Sequence, residues 1–164
     1  SMSDLFHKSV SDAYIEQVFD VIQRSPHHTF QVLTKRAERL ASFFKHRAVP
    51  ANAWIGVSVE DQEYGVPRIN HLRKVDARIR FLSVEPLLDD VGELDLTDIH
   101  WVIVGGESGP RRRAFDVTWA RVLRDQCQAA GVAFFYKQGT ALRPGQDNFL
   151  DGRLWQQFPR GGGK

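Results

Sequence analysis

Two segments of the chain end in the same tripeptide, Ser58-Val59-Glu60 and Ser83-Val84-Glu85, 25 positions apart, and a third ends in Gly105-Gly106-Glu107-Ser108. Each follows a short apolar run rich in β-branched and aromatic residues, at 54–59, 79–84 and 101–104, so each glutamate is expected at the C-terminal end of a strand. Strand side chains alternate between faces. Gly56, Ser58 and Glu60 therefore share one face, as do Phe81, Ser83 and Glu85, and by the same parity Ile103, Gly105 and Glu107. In parallel α/β sheets ligands bind outside the C-terminal strand ends. Three carboxylates are thus expected at one shared mouth, with Gly105 and Gly106 allowing close backbone approach to a ligand or a positive φ.

Carboxylates crowded in one mouth repel, so at least one is expected to have a raised pKa or a basic neighbour. Lys35 and Arg36, after the first strand, and Lys137 and Gln138, after the last, are suitably placed partners. The expected cofactor- or substrate-binding set is Lys35, Ser58, Glu60, Ser83, Glu85, Gly105, Gly106, Glu107, Ser108 and Lys137. The competing reading makes the same charges a structural polar layer, since ion networks also perturb pKa values. No residue is assigned as a catalytic group or metal ligand. Ser58 and Ser83 have no evident histidine partner, the six histidines lack HExxH spacing, and the glycines at 105–109 match neither a Walker loop nor a dinucleotide fingerprint. Trp54, Trp101 and Trp119 are expected in the core rather than as base-stacking platforms. The run Arg111-Arg112-Arg113 reads as a solvated loop rather than a phosphate clamp.

The elements that must position these groups follow from periodicity. Ser11 caps an expected helix over 12–24 carrying Tyr14, Ile15, Val18, Phe19 and Ile22. A strand at 29–33 precedes a helix bearing Ala37, Leu40, Ala41 and Phe44. Strands at 53–59 and 78–84 flank a helix that restarts near Pro67 with Ile69 and Leu72 inward. An acidic, Pro-interrupted connection at 85–99 replaces a helix. A strand at 100–104, a helix capped by Asp116 and closed by Gly131, and a strand at 132–136 complete the core. Asp151-Gly152 between apolar arms predicts a β-hairpin.

Alternating strands and helices imply βαβ units and a parallel sheet. The expected fold is a partial parallel (β/α) TIM-like barrel of about five strands over 1–140, a C-terminal β-hairpin appendage over 141–160, and a disordered tail at 161–164. A full barrel takes about 250 residues and this chain has 164. The first helix has no strand before it, so the chain reads as the C-terminal part of a longer fold. An unpaired edge at 30–34 predicts self-association or a covering partner.

The 22 basic and 20 acidic residues leave a net charge of +2, too balanced to argue for a polyanionic partner. One cysteine, Cys127, excludes a disulfide framework and a thiolate metal site built from this chain alone. A cytoplasmic location is expected, because no run approaches the roughly 20 apolar residues of a membrane span and no signal peptide is evident.

The segments Leu33-Thr34-Lys35-Arg36, Ser83-Val84-Glu85-Pro86-Leu87, Trp101-Val102-Ile103-Val104-Gly105-Gly106-Glu107-Ser108-Gly109 and Phe134-Phe135-Tyr136-Lys137-Gln138 together resemble an uncharacterised phage and prophage family named after phage gene products thirty-seven and sixty-eight. That family looks like a relative of radical S-adenosylmethionine enzymes. The resemblance runs from Met2 to the hairpin around Asp151-Gly152-Arg153, with one departure, Gly139, where the family tends to have tryptophan. It implies that an iron–sulfur cluster and S-adenosylmethionine belong to the full-length protein, with the cluster cysteines upstream and no cofactor held by this chain alone, which would then be inactive by itself. It also implies that Gly105-Gly106-Glu107 holds the amino group of S-adenosylmethionine or contacts an unknown substrate. Two other readings stay open. One is a non-enzymatic, phage-associated module that binds nucleic acid through Arg111–Arg113, Lys137, Arg143 and the C-terminal basic residues. The other is a hydrolase with a hard divalent ion among Glu60, Glu85 and Glu107.

Overall fold

The computed structural model describes residues 3–160; the expected tail at 161–164 lies outside the described residues. Five strands, β1 (Phe30–Thr34), β2 (Ala53–Ser58), β3 (Ile79–Val84), β4 (Trp101–Gly105) and β5 (Ala133–Gln138), form one parallel sheet in the order β1-β2-β3-β4-β5. Helices α1 (Asp12–Gln23), α2 (Ala37–Phe44), α3 (Arg68–Leu72) and α4 (Val117–Ala130) pack against one of its faces. Each strand joins its neighbour in sequence, the arrangement right-handed crossovers give when every helix lies on the same side.

The packing agrees with that geometry. Helix residues Ile15, Phe19, Leu40, Phe44, Ile69, Leu72, Leu123 and Cys127 share one buried cluster with Ile55, Val57, Val59, Leu82, Val84, Val102, Val104 and Phe134. The opposite strand faces form a second, smaller cluster of Trp54, Ile79, Phe81 and Trp101, flanked by Leu33, Ile103, Ala133 and Phe135, to which no helix contributes. Register arranges this helix-free face in layers. Leu33, Gly56, Phe81, Trp101 and Ala133 lie side by side, and the next layer towards the C-terminal ends is Ser58, Ser83, Ile103 and Phe135. A side chain on Gly56 would overlap the Phe81 ring. Glycine is what lets two large aromatics occupy a single layer.

The caps read from the sequence take their places. The Ser11 side chain accepts from the Tyr14 amide, Asp116 accepts from Thr118, and Gly131 closes α4 in the left-handed region at φ 68°. Residues 85–100 contain no helix, yet Leu87, Val91, Leu94, Leu96 and Ile99 are each buried. Apolar anchoring every few residues replaces helical hydrogen bonding along that connection. The hairpin pairs β6 (Phe149–Leu150) with β7 (Arg153–Leu154), and its turn residues Asp151 and Gly152 both have positive φ, as a tight hairpin turn requires. Leu150 is fully buried in the main core.

The two sheet edges differ. Beyond β5, the Tyr136 amide donates to the Trp155 carbonyl, and Gln157 donates to Phe134, so the chain after the hairpin lies antiparallel along the outer side. At the other edge, β1 is held near its C-terminal end by a side chain. Asp4 accepts hydrogen bonds from the Thr34 hydroxyl at 2.6 Å and the Lys35 amide at 3.1 Å.

Candidate functional site

At the C-terminal ends of the strands a cavity of about 610 Å³ is lined by Ser3, Asp4, Leu33, Thr34, Lys35, Ser58, Ser83, Glu85, Pro86, Gly106, Glu107, Ser108, Lys137 and Gln138. Of the ten residues expected from the sequence, eight line it. Ser58 and Ser83 are direct register neighbours at its floor. Glu85 follows β3 on the same face, and Lys137 reaches it from β5 with Nζ 3.2 Å from one carboxylate oxygen. Glu107 and Ser108 lie on the loop after β4, which is tied to the loop after β5 by the Ser108–Ala141 bridge.

Glu60 and Gly105 lie outside this lining. Glu60 is 5% exposed and bonded twice, to Lys35 and to Arg68, whose Nη1 stands 2.7 Å from Oε2 and also donates to the Ser58 carbonyl. Burial pushes its carboxyl up, but the hydrogen bonds from Lys35 and Arg68 outweigh that, and the net shift is below the ordinary value of 4.5. The mouth is thus lined by two glutamates, and the third anchors the lysine that lines it. Gly105 is explained from beneath: a Cβ there would come within 2.5 Å of the Glu85 carboxylate. At Gly106 a Cβ would meet the backbone of Gly139 and Thr140 at 2.9 Å. Neither residue has positive φ. Both are small because neighbouring protein atoms fill the space a side chain would need.

Each glutamate has its own base. Glu107 takes the Arg113 guanidinium in a two-pronged contact at 2.9 and 3.0 Å and also accepts from the Arg113 amide at 2.8 Å. These bonds, the side-chain ones first, hold its carboxyl down at about 2. A carboxylate whose folded pKa lies below its ordinary 4.5 stabilises the fold above that value and loses the contribution as the pH falls towards 2. Replacing Arg113 with alanine should return the Glu107 titration towards 4.5, which carboxyl-resolved NMR reads directly; an unmoved titration would show that Arg113 does not set it.

Sequence reasoning missed three contributors: Asp4, Arg68 and Arg113 in its pairing role. The Gln138 side chain donates to the Gly106 carbonyl at 3.0 Å and accepts from the Gly145 amide at 2.7 Å, fixing two loops of the rim together. Gln138, expected beside Lys137 as a partner for the carboxylates, bonds to these backbone groups. Arg68 and Asp4 lie far in sequence from the groups they hold.

A second cavity of about 630 Å³ continues down the helix-free face, lined by Gln31, Val32, Leu33, Phe81, Trp101, Ile103, Phe135 and Phe158, and it shares Ser3, Leu33, Ser83, Glu85 and Lys137 with the first. Phe158 stands with its ring centre 5.3 Å from that of Trp101 and 5.6 Å from that of Phe135. The indole N–H of Trp101 is buried and meets no acceptor among the described residues. Leaving such a donor unpaired costs about 1–3 kcal/mol.

An iron–sulfur cluster does not fit these residues. Cys127 is the single cysteine; it is buried on the helix side of the sheet, and desolvation pushes its thiol up to about 12. Among the described residues no three His, Cys, Asp or Glu side chains are grouped so that they could hold a metal ion. No helix is long and apolar enough to cross a membrane.

No curated protein and no solved structure matches the chain. A family model described as "Protein of unknown function (DUF5131)" matches residues 1–159, nearly the whole sequence, and the chain belongs to that family.

Proposed function

We propose that the chain is the cofactor- or substrate-binding part of a phage-type, radical-S-adenosylmethionine-like protein, with its sheet forming the C-terminal strands of a parallel (β/α) barrel. The observation that carries this reading is the convergence of Ser58, Ser83, Glu85, Glu107 and Lys137 from four successive strand ends on one cavity. Helices on one side only and layered side chains on the other support a sheet curving around that cavity. The adjacent Glu85 carboxylate and Lys137 ammonium suit a zwitterion, which pairs its own ammonium and carboxylate with them at no change in net charge. S-adenosylmethionine carries such a group, and when bound it supplies a reactive sulfonium centre. Glu85 and Lys137 would hold its amino-acid end, with the Ser58 and Ser83 hydroxyls beside it. The cluster such chemistry requires would have to be held by residues other than those described here.

Titration calorimetry with S-adenosylmethionine tests the reading. Saturable binding is expected, and Glu85→Gln should weaken it by about tenfold or more, the usual effect of losing a hydrogen bond to a charged group. Absence of binding at millimolar ligand would sink it.

The nucleic-acid reading draws less support from the geometry, because Arg113 is engaged by Glu107, Arg112 folds back onto the Gly109 carbonyl, and Lys137 pairs with Glu85. A hard-metal hydrolase is likewise disfavoured by the base each glutamate already holds. We also propose self-association or a partner along the β1 edge, which analytical ultracentrifugation reads; a monomer at every concentration would remove the self-association arm.

A further inference from the structure

We infer that Ser58 and Ser83 are paired contacts for two neighbouring hydroxyls of a sugar ring. This rests on the reading of the strand-end cavity as a ligand site, but not on the radical chemistry proposed for it. Among the described residues five polar or charged side chains are buried: Thr34, Ser58, Glu60, Ser83 and Gln138. Three of them have their bonds. Thr34 donates to Asp4, Glu60 holds Lys35 and Arg68, and Gln138 joins Gly106 to Gly145. The hydroxyls of Ser58 and Ser83, residues 4% and 5% exposed, meet no hydrogen-bond partner among the described residues, and both serines line the cavity. Buried polar groups are ordinarily hydrogen-bonded, so these two are placed for partners that arrive in the cavity.

Spacing and surroundings set the class of ligand. Ser58 and Ser83 are register neighbours on parallel strands, which lie about 4.8 Å apart, so one ring with hydroxyls on adjacent carbons reaches both. Each serine hydroxyl offers one donor and two acceptor lone pairs. A sugar hydroxyl answers both roles, whereas a carboxylate only accepts and an ammonium only donates. No net charge is called for, because Glu60, Glu85 and Glu107 each hold a base already. The second cavity begins at Ser83 and continues over Phe81, Trp101 and Phe135, apolar ring surface that suits the C–H face of a sugar. Two sources present this chemistry, the ribose of S-adenosylmethionine seated at the rim and the sugar of a separate substrate.

Saturation-transfer NMR with methyl riboside, and with methyl deoxyriboside as the same ring short of one hydroxyl, tests the inference on the chain as it stands. The riboside should bind saturably and about fivefold more tightly than the deoxyriboside, the worth of one neutral hydrogen bond. Ser58→Ala and Ser83→Ala should each weaken the riboside by a similar factor. Alanine removes a hydroxyl that has no protein partner, so the urea midpoint of each ligand-free variant should hold or rise. No riboside signal at millimolar concentration, equal binding of the two ribosides, or a lower urea midpoint in both variants would each overturn the inference, the last by showing that the hydroxyls hold the fold. Displacement of the riboside by S-adenosylmethionine would support the inference and assign the hydroxyl pair to that ligand's ribose, and simultaneous binding would support it and assign the pair to a separate substrate. Riboside binding to a chain that takes no S-adenosylmethionine leaves the serine contacts standing and removes the S-adenosylmethionine reading alone.

Discussion

Substituting valine for Gly56 should lower the free energy of unfolding by about 3 kcal/mol, the upper part of the usual range for overpacking a core. The added atoms would enter the space of the Phe81 ring, and that ring is held by Trp101, 6.0 Å away between centres, which itself packs edge-on to Trp54 at 5.8 Å. No element of this cluster can move without displacing the next. The same substitution in a Phe81→Leu background should cost less than about 1 kcal/mol, since contacting residues are strongly non-additive. Urea denaturation of the four proteins measures this coupling. An equal cost of Gly56→Val in both backgrounds would mean that the ring is not the obstacle.

Replacing Arg68 with methionine should cost about 3 kcal/mol at neutral pH, because it leaves the buried Glu60 carboxylate with Lys35 as its remaining base. Lys35→Met should cost about 1 kcal/mol or less, since the Lys35 side chain is 57% exposed and water screens its charge. The pH dependence separates electrostatics from packing. Glu60 has a folded pKa below 4.5, so the stabilisation it receives from its two bases is present above that value and is lost as acid protonates the carboxylate. The gap between native and Arg68→Met proteins should therefore be widest near pH 7 and narrow below pH 4.5. A gap that stays constant across that interval would assign the loss to the arginine's packing instead.

Much of the sheet was legible because alternation leaves few choices. Two Ser-Val-Glu endings on apolar runs placed Ser58 and Ser83 on one face, and the structure makes them register neighbours. Helix boundaries were legible where a capping residue stood before an apolar period, as at Ser11 and Asp116. The site was less legible, because parity fixes the face on which a side chain emerges and not where its end goes. Glu60 and Glu85 occupy equivalent places in their repeats, yet Glu60 pairs with Arg68, on the short helix that follows β2, outside the cavity lining, while Glu85 pairs with Lys137 at the rim. Arg113 likewise read as loop charge until the turn at Gly109 brought it back onto Glu107. These are contacts between groups eight or more positions apart, or across a turn, where local pattern carries no information. The glycines at 105 and 106 were legible as necessary, but the reason is packing from below and beside them.

The unequal edges of the sheet give it a direction of growth. On the β5 side, residues 155–157 already occupy the outer backbone groups in the antiparallel sense, so a further parallel strand there would first have to strip them off. On the β1 side, Asp4 fastens the end of the strand by a carboxylate, and β1 remains the outermost strand of the ladder. Any strand joining this sheet, whether from the same polypeptide or another, therefore has one address, and it adds next to Lys35. Extension would bring new groups to the lysine side of the mouth and leave the Glu107–Arg113 side as it is.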